Sequence, residues 1–249
     1  MYNKTVMRQS LSVGGGRAER QRQDEMEKLL LDCTLRDGGY VNDWNFGRDN
    51  IVNIFERLVS AGTDIIEVGF LDERRSFDPD RSIMPDTQSA DRIYGGLDKG
   101  GSMTVAMIDY GTCSLEHIRP ASECSLDGIR VIFKKHIMEE AFAYCEKIKA
   151  LGYKVFAQAV SITSYTPEEL LHFIDLANRV KPYAVSMVDT YGLLHQEDLV
   201  KVTKVMDEHL DGEISLGYHA HNNFQMGYAN AIAFLKSGRR RLIVDGTLY

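Results

Sequence analysis

Two histidines separated by one residue, His219-Ala220-His221, close the apolar run ISLGYHA. Residues two apart on a strand project to the same face, so this pair can grip one metal ion. Two ligands rarely suffice. Asp37, at the end of another apolar run in TLRDGG, supplies a hard anionic oxygen and completes a two-histidine, one-carboxylate face with positions open to substrate or water. Such a set suits one divalent ion, with Mn2+ the first choice, Fe2+ beside it, and Zn2+, Co2+ and Mg2+ behind. Each motif alone has a plainer explanation. An HxH pair among seven histidines is commonly a surface or core coincidence, and Asp37 alone reads as a turn or cap residue partnered by Arg36. Brought to one place, the two motifs point to a metal centre.

Bringing them together is a task for the fold. Eight short apolar runs recur along the chain: LLLDCTL near 29, DIIEVGF at 64, MTVAMID at 103, GIRVIF at 128, KVFAQAVSI at 154, AVSMVDT at 184, ISLGYHA at 214 and RLIVDGT at 241. Between them lie amphipathic stretches such as NIVNIFERLVSAG and PEELLHFIDLANRV, several ending in Gly, as helices often do. The stretch 111–127 is the weakest helix. Strand–helix alternation predicts an α/β fold, a TIM (β/α)8 barrel spanning 28–249. An open doubly wound sheet also alternates, but its GxGxxG turn is absent after the first run. In a barrel, reactive side chains gather at the C-terminal ends of the strands. The polar residues Arg36, Asp37, Glu67, Lys134, Asp189, Thr190, His219 and His221 fall there.

The composition, 44% hydrophobic and 26% charged, is that of an ordinary globular protein. A net charge of -7 argues against a nucleic-acid partner, and the one basic triplet, Arg239-Arg240-Arg241, reads as a solvated helix end or loop. The absence of any long apolar run or secretory signal argues against a membrane partner and for a cytoplasmic location. No cysteine pair has CxxC spacing, so the four thiols are expected to be reduced. Residues 1–27 read as a flexible polar tail. The charged segment 72–92 reads as a loop, either a substrate-selecting lid or simply solvated.

DCTLRDGG at 32–39, IEVGF at 66–70 and YHAHNN at 218–223 together resemble the signatures of the DRE-TIM metallolyase superfamily. That superfamily includes 4-hydroxy-2-oxovalerate aldolases, 3-hydroxy-3-methylglutaryl-CoA lyase and the isopropylmalate-type synthases, and the chain looks most like the aldolase-type members. The resemblance implies Asp37, His219 and His221 as metal ligands, Arg36 as the cation that stabilises an enolate, and Glu67 as its supporting carboxylate. It implies an α-keto acid substrate, with Lys134, Asp189, Thr190 and Asn222 as candidate contacts. Where hydroxy-oxovalerate aldolases carry RDGSH, this chain has RDGGY, making Tyr40 a candidate base if metal or Arg36 lowers its pKa, and otherwise a packing or contact aromatic.

Several alternatives sit beside the aldolase. A Schiff-base aldolase would need Lys134 as imine former, because the sixth run has no lysine. Biotin-dependent carboxyltransferases carry a lysine immediately before the aspartate where Val188 stands here, and amidohydrolase-type HxH pairs sit on the first strand. An acyl-CoA condensing enzyme shares the enolate chemistry. The family's eighth strand normally runs on to a Gly-Asn loop and a last helix, which the sequence does not reach. This raises the expectation of a fragment, or of a shortened, even non-catalytic barrel whose open end a second copy or partner domain covers.

Overall fold

The computed structural model describes residues 27–247; the tail expected over 1–27 lies, apart from Glu27, outside them. Eight parallel strands close into a ring: β1 (Lys28–Asp32), β2 (Ile65–Leu71), β4 (Met103–Asp109), β5 (Gly128–Phe133), β6 (Lys154–Ala159), β7 (Ala184–Asp189), β8 (Ser215–Ala220) and β9 (Leu242–Gly246). Closure is made by β1, which pairs with β2 through Leu31 and Ile65 and with β9 through Leu30 and Val244. All eight apolar runs are therefore barrel strands. They read as unbroken apolar stretches because helices cover their outer faces and side chains fill the interior.

The main helices are α1 (Thr34–Asp37), α2 (Arg48–Ser60), α3 (Thr87–Tyr94), α4 (Met138–Ala150), α5 (Pro167–Val180), α6 (Gln196–His209) and α7 (Gly227–Ser237). Their signals are local. α2 turns Ile51, Phe55 and Leu58 inward at helical spacing, and α5 starts at a capping box formed by Thr166 and Glu169 with Pro167 at its first position.

The structure departs from the sequence reading in three places. The stretch 111–127 holds only two 3-10 turns, at Leu115–His117 and Ala121–Glu123. Pro120 interrupts any helix there, and Ile118 and Leu126 are buried in its stead. The segment 72–92 is not all loop: its second half forms β3 (Ile83–Met84), hydrogen-bonded to β2 outside the ring, and α3, capped by Asp86. Gly69 makes β3 possible. Its φ is 146°, and a Cβ would lie 1.7 Å from the Ser82 carbonyl oxygen, at the register shift of the β2–β4 ladder beyond which Phe70 pairs with both Met107 of β4 and Ile83 of β3. Finally, the side chain of Arg240 is largely shielded rather than solvated. It binds the Asp207 carboxylate and the carbonyls of Asp207, Leu210, Asp211 and Ile214, satisfying the end of α6.

Inside the ring the filling is layered. Leu31, Ile65, Val105, Phe156, Ala184 and Ile243 form an apolar plug. Glu67, Arg130 and Gln158 are buried in the barrel with the side chain of Asp245, and the mouth is bordered by Trp44, Phe70, Ile83 and Met107.

A candidate metal centre at the barrel mouth

After β1 the chain turns at once into the single turn of α1, held by the Asp32 carboxylate, which accepts from the Thr34 amide at 2.9 Å and its hydroxyl at 3.1 Å. Burial pushes the Asp32 carboxyl up to about 6 against those two bonds. The turn delivers Arg36 and Asp37, both buried, to the mouth. Trp44 then pins them, its indole N–H donating 2.8 Å to the Arg36 carbonyl, and Gly39 leaves room for that ring.

His219 comes from β8 and His221 from just beyond it. The Nδ1 of His219 lies 2.8 Å from Asp245 Oδ2, and the Nδ1 of His221 lies 2.7 Å from the Thr190 carbonyl and 3.1 Å from that of Asp189. All three partners are acceptors, so each neutral ring carries its proton on Nδ1. The two Nε2 atoms then face each other 3.3 Å apart with lone pairs opposed, and Asp37 Oδ2 lies 3.8 Å from His219 Nε2. Opposed lone pairs beside a carboxylate fit a cation between them. Among the described residues, Asp37, His219 and His221 are a group whose ligand atoms lie within 4.8 Å of one another.

Behind this group runs a chain of buried ions. Arg36 donates from Nε to Glu67 Oε2 at 2.7 Å and from Nη1 to Asp37. Arg130 reaches across the barrel interior, its Nη1 3.0 Å from Glu67 Oε1 as an ion pair without hydrogen-bond alignment, and its Nη2 donating to Asp245 Oδ2 at 2.6 Å. Burial opposes the charge on Arg36 more than any one neighbour supports it, but Glu67, through its charge and its hydrogen bond, together with Asp37 and the other anionic neighbours holds the guanidinium above its ordinary value. Burial would also raise Asp245, yet Arg130 and His219 bring its carboxyl down to about 2. Three carboxylates, Asp37, Glu67 and Asp245, face two guanidiniums, Arg36 and Arg130, and leave one negative charge for a cation to offset.

A cavity of about 370 Å³ opens over the cluster, lined on one side by Arg36, Asp37, Tyr40, His219 and His221 and elsewhere by Met107, Ile132, Val160 and Val188, with Arg130, Gln158 and Thr190 completing it. The other expected site residues are divided. Thr190 lines the cavity while its hydroxyl accepts from the Ser161 amide. Asp189 is turned to its own loop, accepting from the Leu193 and Leu194 amides. Asn222 accepts from the Gly227 amide, and Lys134 is exposed beyond β5; neither lines the cavity. Tyr40 does line it, its ring against Trp44 and Phe70. Much of that ring meets solvent, but desolvation around the phenol outweighs Arg36 and raises its pKa, so near neutral pH the phenol keeps its proton.

Arg130, Gln158 and Asp245 were not singled out from sequence. A signal existed: a charged or amide side chain inside an apolar barrel strand must face the interior, because the outer face packs under helices. Asp245 orients the ring of His219, a proposed ligand, so Asp245→Asn is expected to weaken Mn2+ binding roughly 10–100-fold by calorimetry while the far-ultraviolet circular dichroism is retained.

A closed parallel barrel with a His–His–Asp group at its C-terminal mouth defines the class. Within it, this chain belongs to the HMGL-like family, whose model matches residues 28–249. The family is divalent-metal dependent. The chain is 23% identical to a 4-hydroxy-2-oxovalerate aldolase of Alkalilimnicola ehrlichii over 90% of this chain and 65% of the relative. It is 26% identical to an oxaloacetate decarboxylase of Mycobacterium tuberculosis over 89% of this chain and 64% of the relative. It thus spans just under two thirds of the length of these relatives. Among solved structures, the hydroxymethylglutaryl-CoA lyase of Pseudomonas aeruginosa shares the fold, with a TM-score of 0.69 at 17% identity, covering 89% of this chain and 76% of that one. No described helix is long and apolar enough to cross a membrane.

Proposed function

We propose that this chain is a divalent-metal-dependent aldolase, a carbon–carbon lyase that cleaves or forms the bond next to an α-keto acid through a pyruvate-like enolate. The observation that carries the reading is the pair of opposed Nε2 atoms beside Asp37, in one cavity with a guanidinium fixed by Glu67. Two imidazoles and a carboxylate with open positions can hold Fe2+ or Mn2+, and Mn2+ is the ion in this reading. A divalent cation bound there would polarise the keto oxygen and offset the charge of the enolate.

In the cleavage direction the substrate hydroxyl gives its proton to a water molecule and becomes a carbonyl as the carbon–carbon bond breaks. The bonding pair passes into the keto acid fragment, whose oxygen takes the negative charge, and a proton returned to carbon completes the product. Arg36 is placed to offset that charge. Its Nε is committed to Glu67 and its carbonyl to Trp44, so the guanidinium need not reorganise as charge develops. Tyr40, a phenol at neutral pH, is suited to hold an oxygen or to return the proton. Met107, Ile132, Val160 and Val188 keep that side of the cavity apolar and strengthen each charge interaction.

The test is exchange of pyruvate methyl protons with heavy water by the metal-loaded protein, which needs the enolate step but no second substrate. Exchange is expected. A silent metal-loaded protein would point to the acyl-CoA condensing branch or to a non-catalytic barrel.

A further inference from the structure

Gln158 has no part in the chemistry above, yet it lies at the floor of the cavity, on β6, half-way around the eight-stranded ring from the strand that leads to Arg36 and Asp37. Its side chain is fully buried. The amide is oriented, because Oε1 accepts from Arg130 Nη2 at 3.0 Å, and Nε2 then has no protein partner. A buried donor left without an acceptor is costly, and here it borders a cavity that receives substrate.

We infer that Gln158 is a specificity-determining residue that donates from Nε2 to the oxygen on the departing carbon, selecting partners in which that oxygen is neutral, a hydroxyl or carbonyl, with a short apolar tail. This rests on the aldolase reading. The keto acid end is drawn to Arg36 and the His–His–Asp group, leaving the other end of the substrate to meet Gln158. The nearby cation, Arg130, is already matched by Glu67 and Asp245, so a second carboxylate is poorly served there. The apolar side chains Met107, Ile132, Val160 and Val188 provide for the tail.

Gln158→Glu keeps the acceptor for Arg130 and removes the donor; Gln158→Met removes both without adding charge. For wild type and both variants, loaded with Mn2+, two rates are compared: cleavage of 4-hydroxy-2-oxopentanoate and methyl exchange of pyruvate, which lacks the oxygen in question. The ratio of cleavage kcat/KM to exchange rate is expected to fall about 100-fold in both variants. If one fails to fold, the other carries the test. A ratio that stays within about threefold of wild type, or an equal fall of both rates, overturns the assignment, since a merely structural role would move the two together. A wild-type protein that neither exchanges nor cleaves sinks the parent reading and this assignment with it. Exchange by the wild type with an unchanged ratio in the variants sinks the assignment alone.

Discussion

Replacing His219 with alanine, or Asp37 with asparagine, is expected to abolish tight Mn2+ binding and to lower turnover by about 1,000-fold or more, because the cation's contribution to charge stabilisation is worth several kcal/mol. Each residue is one of the three proposed ligands, and neither has an uncommitted carboxylate to replace it: Asp189 is committed to loop amides, and Asp245 to Arg130 and His219. The loss in affinity should exceed the roughly 10–100-fold typical of removing a group that only orients a ligand, so both variants should bind more weakly than Asp245→Asn. Calorimetric titration with Mn2+ beside turnover at saturating metal checks the pair. Retained tight binding in His219→Ala would place the metal elsewhere.

Arg36→Lys separates metal binding from catalysis. Asp37, His219 and His221 remain, so Mn2+ stoichiometry should be preserved. The guanidinium uses Nε for Glu67 and Nη1 for Asp37 at once. A lysine ammonium is a point charge on a flexible stem and does not hold that fork geometry. Turnover is expected to fall about 100- to 1,000-fold, close to 3–4 kcal/mol, with the loss in kcat because the interaction grows as charge develops. An effect confined to KM would mean that Arg36 binds substrate without favouring the enolate.

The barrel was legible because a parallel strand buried on both faces must be apolar throughout, which GIRVIF and AVSMVD are to within one or two residues. The grouping of Asp37, His219 and His221 was legible for a related reason: HxH and RDG are local patterns at strand ends, and a closed ring brings strand ends together. What escaped was non-local. β3 is two residues long and exists through its pairing with β2. Arg130 meets Asp245 across 115 positions of chain, and no window of sequence holds both partners. Arg240 looked solvated because the carbonyls it binds belong to the end of α6 and the turn after it. For Tyr40, the direction of the pKa shift depended on a contest between desolvation and Arg36 that only the packed geometry decides.

The most direct test of the account is the exchange of pyruvate methyl protons in heavy water, followed by proton nuclear magnetic resonance with the wild-type chain loaded with Mn2+, stripped by a chelator, and reloaded before the paramagnetic ion is removed for recording. The account predicts loss of the methyl signal with metal, none after stripping, and recovery of exchange on reloading. Exchange that persists in the metal-free protein, or its absence from protein shown to hold one Mn2+ per chain, would contradict it.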